Sequence, residues 1–320
     1  MKTLDMITAL LALSHGTVAY CPLPASYQWS SSGPLAQPGP GIHGLRDNAH
    51  AIYNGQNLIY STTQSSTYTW GSISYGLFSN WTDMASTSQT TISDLVFSPS
   101  IFLFRPKNIW MLTYQWGPTT FSFETSSDPS DPKSWSTPQP LFRGSIPNSS
   151  SGPTDPAVIS DGEAVYLFFC GSNGAIYRAN MPVGKFPGDF GTSSTIILQD
   201  TTSQLLEGVK VYRVSGEARY LMIVEAIGRQ GRYFRSFTAT TLDGHWEPQA
   251  ATETSPFAGK PNSGATWTND ISGGELIRSD PDETMTIDAC ELQFLHQGRD
   301  PKAGGDFFPV PWRPGLLTLA

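Results

Sequence analysis

Three carboxylates stand out in a chain that is only 14% charged. Asp47 follows a basic residue in Leu45-Arg46-Asp47-Asn48. Asp155 sits in the turn Gly152-Pro153-Thr154-Asp155-Pro156, and Glu207 lies in the apolar run from Leu205 to Tyr212. A carboxylate in such a run is rarely buried unless something pairs with it or uses it. Glu207 shares the parity of Val209 and Val211, so strand alternation points it the same way as the valines. Apolar Leu205, Leu206 and Val209 around it are expected to raise its pKa and keep it protonated. One protonated and one ionised carboxyl group across a pocket supply an acid and a base, the requirement for hydrolysis of a glycosidic bond. Any one of the three alone has an ordinary role as a turn cap or surface ion partner. Three that converge point to a site.

What brings them together is a repeat. Trp81, Trp135, Phe190 and Trp246 are spaced 54, 55 and 56 residues apart, each preceded by Asn, Ser, Asp or His. Two of them continue alike, as Trp135-Ser136-Thr137-Pro138-Gln139 and Trp246-Glu247-Pro248-Gln249. Four-stranded propeller blades recur at about 40 to 50 residues, so this period is a slightly long version of theirs. Dividing the chain by it predicts an all-β, single-domain propeller of five blades, with the two termini sharing one. Leu58–Ser61, Ile109–Tyr114, Ala164–Cys170 and Arg219–Glu225 are expected strands. Asp47, Asp155 and Glu207 precede the repeat aromatics by 34, 35 and 39 residues. Blades surround a central channel, so residues in matching phase meet at its mouth.

Composition agrees. The 320 residues include 30 Gly and 25 Pro, which favours short strands and tight turns over long amphipathic helices. A net charge of -8 without a strong basic cluster argues against a nucleic-acid partner. Residues 1 to about 19 read as a secretory signal: Lys2, an apolar core from Met6 to Leu13, then Thr17 and Ala19 at the spacing for cleavage before Tyr20. No later run is long enough to span a bilayer. The mature chain, residues 20–320, is therefore expected to be a secreted monomer with no membrane partner. Cys170 lies within a continuous apolar run and is expected as a buried free thiol, which leaves Cys21 to pair with Cys290. Asn80 and Asn148 head glycosylation sequons.

Gln115 and Trp116, in Tyr114-Gln115-Trp116-Gly117-Pro118, and Trp267 and Asp270, in Trp267-Thr268-Asn269-Asp270, are candidates to line a sugar pocket. Most of the tryptophans are expected to pack between blades instead. The chain has no Gly-x-Ser-x-Gly and no phosphate-cradling glycine loop, and its histidines are scattered.

Leu45-Arg46-Asp47, Tyr114-Gln115-Trp116-Gly117, Leu206 to Tyr212, Gly231-Arg232-Tyr233-Phe234-Arg235-Ser236, Gly264 to Asp270 and Arg313 to Thr318 together resemble segments of glycoside hydrolase family 62. The resemblance covers essentially the whole mature chain. It implies a five-bladed propeller and a secreted α-L-arabinofuranosidase, as in many fungal members. It also implies inversion at the anomeric carbon and removal of single arabinofuranosyl branches from xylan and arabinoxylan. Asp47 then looks like the general base, Glu207 the general acid, and Asp155 the carboxylate that tunes and orients the acid. The family's paired cysteines are similar to Cys21 and Cys290.

Arg46 stands where the family usually has Lys, which keeps the charge but changes its shape. Trp312 stands where some members carry a Tyr beside the cleft, and Asn48-Ala49-His50 departs from the usual sequence after the base. No cofactor is implied as a requirement. Calcium enters only through the resemblance, and Gly273 occupies the position where the family typically carries a His associated with a channel calcium ion. The alternatives are a carbohydrate-binding propeller without turnover, and a xylosidase or arabinanase on the same fold.

Overall fold

The computed structural model describes residues 20–303 and 309–320. The expected signal segment lies outside the described residues. Five sheets are arranged as blades around a central channel, antiparallel throughout except where Thr286–Ile287 adds in parallel to the innermost strand of the fourth. The first blade runs Gly44–Tyr53, Gln56–Gln64, Trp70–Tyr75 and Gln89–Thr91 from the channel outward. The second begins with Phe97–Phe104, the third with Thr154–Ser160 and the fourth with Glu207–Val214. The fifth starts at Ser272–Leu276, continues through Gln293–Gly298 and Arg313–Leu319, and takes the N-terminal strand Trp29–Ser31 as its outer edge. Chain start and chain end thus share one blade, as the repeat predicted. Each blade keeps only a short outer edge strand, three residues in Gln89–Thr91 and Trp29–Ser31, which limits pairing with another chain.

The four expected strands are the second strands of the first four blades, Gln56–Gln64, Ile109–Gln115, Ala164–Cys170 and Tyr220–Ile227. The repeat aromatics each fall between the third and fourth strands of a blade. Two of them show why the spacing exists. Trp135 of the second blade donates its Nε1–H to Tyr60 of the first at 2.8 Å, and Trp246 of the fourth packs edge-on against Phe168 of the third, ring centroids 6.0 Å apart. Between the second and third blades, Phe121 and Phe142 enclose Phe169, centroids 5.4 and 5.1 Å away. All three are fully buried, and burying one such ring contributes about 1.5–3 kcal/mol. The Cys21–Cys290 disulfide is present with Cα atoms 5.0 Å apart, and Cys170 is a buried free thiol.

Between its first and second strands the fifth blade carries a long excursion that the repeat did not foretell. It crosses the C-terminal ends of the innermost strands: Leu103 N–H donates to Pro281 O, Ser160 N–H to Glu283 O and Arg213 N–H to Met285 O. Arg278 from this segment donates to the backbone oxygens of His50 and Ile101. One end of the channel is therefore plugged. Asp47, Asp155 and Glu207 lie near the N-terminal ends of their strands, at the other end.

Candidate active site

At that open mouth a cavity of about 120 Å³ is lined by residues of all five blades, among them Arg46, Asp47, Gln115, Trp116, Asp155 and Glu207. The three expected carboxylates do meet. The way they reach the cavity differs from simple alternation. Strand pairing shifts register between Arg46 and Ala49, Thr154 and Ala157, and Glu207 and Lys210. Asp47 and Asp155 are themselves the left-handed residues of their bulges, at φ 47° and 57°. In the fourth blade the left-handed residue is Gly208, at φ 68°, so Glu207 sits one residue earlier in phase than the other two. A bulge re-aims a side chain. It separates Glu207 from Val209, which is buried in the core while Glu207 keeps 28% of its side chain exposed toward the cavity. The shared parity of Glu207 and Val209 does not survive the bulge.

The expected apolar surroundings of Glu207 are also corrected. Leu205 and Val209 pack into the core. The partner of the Glu207 carboxylate is Arg232, whose Nη1 donates to Oε1 at 2.5 Å. The same Nη1 donates to Glu225, a carboxylate only 1% exposed. Arg232 and Glu225 complete the charge arrangement, and the sequence reading gave neither a role.

Burial pushes Asp155 up to about 6, with further upward pressure from the Glu207 charge and opposition from the Gly208 N–H, which donates to Asp155 Oδ2 at 2.9 Å. Asp47 is raised by burial and by Glu207, and is held down by Arg46, Lys210 and Arg232. Burial raises Glu225 to about 7 against the attraction of Arg232. Four carboxyl groups, Asp47, Asp155, Glu207 and Glu225, thus face three cations, Arg46, Lys210 and Arg232. One negative charge in excess, in surroundings that penalise charge, favours a retained proton.

Gln115 is buried and its Oε1 accepts the Asp155 N–H at 2.6 Å. Trp116, 49% exposed at the rim, packs on Phe97 with centroids 5.3 Å apart, and Phe97 packs on Trp70 at 5.4 Å. Arg46 continues the row, its Cζ 5.5 Å from the Trp70 ring and 5.8 Å from Trp312. Guanidinium stacking of this kind is better suited to Arg than to Lys. Trp312, Trp267 and Asp270 do not line the cavity. Trp312 is 2% exposed and sandwiched between Arg46 and Arg299. Trp267 donates to Ser32 O at 2.9 Å and packs on His296. Asp270 accepts the Arg232 N–H at 2.9 Å and pairs with Arg299 at 2.7 Å, so it anchors the arginine that holds Glu207.

The residues around Gly273 do not fit a His-bound calcium. A Cβ at this position, where φ is 51°, would lie 2.5 Å from the Gln297 side chain. Among the described residues no three His, Cys, Asp or Glu side chains gather as metal ligands. The channel below the site instead holds the Lys210 ammonium, 3.8 Å from Glu275.

Residues 28–318 match the model of glycosyl hydrolase family 62. The chain is 37% identical over 311 residues to α-L-arabinofuranosidase C of Cellvibrio japonicus, covering 93% of this chain and 48% of that protein. It thus spans about half the length of this curated relative. Among solved structures, the catalytic domain of a Coprinopsis cinerea family 62 α-L-arabinofuranosidase is 34% identical, with a TM-score of 0.87 over 93% of this chain and 98% of that one. An α-L-arabinofuranosidase from Podospora anserina, solved with cellotriose, is 33% identical with a TM-score of 0.85, covering 93% and 98%. A family 62 hydrolase solved with xylotriose is 32% identical with a TM-score of 0.84, covering 92% and 98%. With a family model spanning nearly all of the described propeller, this chain belongs to glycosyl hydrolase family 62.

Proposed function

We propose that this protein is an exo-acting α-L-arabinofuranosidase that cleaves single arabinofuranosyl branches from xylan with inversion. The observation that carries the reading is the convergence of Asp47, Asp155 and Glu207, from three blades, on one small cavity. At about 120 Å³ the cavity is small. A side-chain sugar fits it better than the interior of a polymer. The exposed indole of Trp116, backed by the buried Phe97, offers an apolar face to the sugar rings of a main chain outside. The relatives' names and their complexes with cellotriose and xylotriose support the same substrate class.

In this reading Asp47 accepts a proton from water as the water attacks the anomeric carbon. Arg46, Lys210 and Arg232 favour the ionised form that this step needs. Glu207 delivers a proton to the departing xylan oxygen. Arg232 bridges Glu207 to the buried Glu225, and Glu207 is the more exposed member of that pair at the cavity. Asp155 orients the acid by holding the Gly208 N–H. No step requires a metal.

Incubation with wheat arabinoxylan tests the reading. Released arabinose supports it. Binding to xylan with no product from the folded protein supports the non-catalytic alternative. Oligosaccharides from linear arabinan, or xylose from xylo-oligosaccharides, support an arabinanase or a xylosidase. Secretion and glycosylation belong to the same proposal: Asn80 and Asn148 are both exposed, and a mobility shift on endoglycosidase treatment of secreted protein checks them.

A further inference from the structure

Every innermost strand breaks step at one left-handed residue: Asp47, Ser98, Asp155, Gly208 or Gly273, at φ values between 44° and 68°. On the second strand of each blade, the residue paired with the one before the break is Thr62, Gln115, Cys170, Glu225 or Gln297. Four of these five positions fasten the neighbouring blade. Thr62 Oγ1 accepts the Ser98 N–H at 3.1 Å and Gln115 Oε1 accepts that of Asp155 at 2.6 Å. Glu225 Oε2 accepts the Gly273 N–H at 2.8 Å and Gln297 Oε1 accepts that of Asp47 at 2.7 Å. In the remaining step, from the third blade to the fourth, Asp155 Oδ2 takes the Gly208 N–H. The ring closes, each blade holding the bulge of the next.

Gln297 is used at both ends of its amide. While Oε1 holds Asp47, Nε2 donates to Ser272 Oγ at 3.2 Å, and that hydroxyl donates to Glu225 Oε1 at 3.0 Å. Arg232 joins Glu225 to Glu207. A continuous path of side chains thus links the Asp47 backbone to the Glu207 carboxylate through Gln297, Ser272, Glu225 and Arg232, none more than 3% exposed. A left-handed backbone is unfavourable for a residue with a Cβ, so it persists only where its surroundings hold it.

We propose that Gln297 is a positioning residue: its side-chain oxygen fixes the left-handed backbone that aims Asp47 into the cavity. This rests on the reading of Asp47 as the base. Gln297→Met keeps the length of the side chain and removes the acceptor. Gln297→Glu keeps an acceptor, loses the donor to Ser272 and adds a negative charge beside Asp47, which otherwise feels Arg46, Lys210, Arg232 and Glu207.

The test combines steady-state kinetics on an arabinosylated xylo-oligosaccharide with residue-resolved amide exchange. Gln297→Met should lose about tenfold or more in kcat with KM within about threefold, because small misplacement of a reacting group costs rate more than binding. Its Asp47 amide should exchange at least about tenfold faster than in the wild type. Gln297→Glu should keep that amide protected, recover much of kcat, and move the acid limb of the pH profile upward. A folded Gln297→Met with wild-type kcat and exchange overturns the proposal, as do Met and Glu variants that are indistinguishable in rate and pH profile. If Gln297→Met does not fold, the Glu variant decides: an unprotected Asp47 amide or an unmoved acid limb overturns it. If the wild type releases no sugar, the functional reading fails, and amide exchange alone still decides the positioning role.

Discussion

Asp155 Oδ2 accepts the backbone N–H of Gly208 at 2.9 Å, so one carboxylate of the site holds the residue that follows another. A side chain at Gly208 would be strained by its φ of 68°, and its Cβ would meet Glu225 at 3.4 Å. Glu207 is therefore aimed by its neighbours in space more than by its own strand.

Asp155→Ala, which removes both charge and acceptor, should reduce kcat/KM by about 10²-fold or more. Asp155→Asn keeps an acceptor for Gly208 and should fall between. The two variants also differ from the wild type in pH dependence. Because the folded Asp155 is raised to about 6, the folded state binds its proton more tightly than the unfolded one does. The wild type should therefore lose stability relative to Asp155→Asn as pH rises from about 4 to about 6, and the gap should level off above that. Urea unfolding across this range checks the sign; a gap that shrinks as pH rises contradicts it.

His296 titrates in the opposite sense. It is fully buried, and burial lowers its pKa to about 4. Above pH 6.5 neither state is charged; below it the unfolded state takes up a proton that the folded state refuses until pH 4. Stability from this residue is lost as pH falls through that window. His296→Phe should gain on the wild type between pH 6.5 and 4, by on the order of 3 kcal/mol at most. A constant difference between the two proteins would show that His296 is not the group responsible.

Trp116 is the exposed aromatic at the cavity rim. Trp116→Ala should raise KM for branched polysaccharide by about five- to thirtyfold with kcat nearly unchanged, the loss of one aromatic contact of about 1–2 kcal/mol. Equal loss in kcat would place the indole at the reacting centre instead.

Much of this arrangement could be read before the structure. The repeat aromatics are legible because Trp135 and Trp246 each pack on the preceding blade, which ties their spacing to the blade length. The bulges were not legible, since Asp47 and Asp155 give no local sign of a left-handed backbone, and only Gly208 and Gly273 hint at one. Alternation therefore misdirected the reading of Glu207. Glu225 was within reach: it is the lone carboxylate in the apolar strand Tyr220–Ile227, the same signal that drew attention to Glu207. Arg232 lay in a segment noted for its resemblance, but nothing in its spacing reveals that it bridges two carboxylates. The burial of Trp312 follows from stacking between Arg46 and Arg299, contacts made across the ends of two blades that no local pattern encodes.

The most direct test of the account is arabinose release from a singly arabinosylated xylo-oligosaccharide by the wild type, Asp47→Asn and Glu207→Gln, with the anomer first formed followed by time-resolved NMR. The account predicts arabinose of inverted configuration from the wild type and a loss of about 10² to 10⁴-fold in each folded variant. Release with retained configuration, or wild-type rates in either variant, would contradict the roles assigned to Asp47 and Glu207.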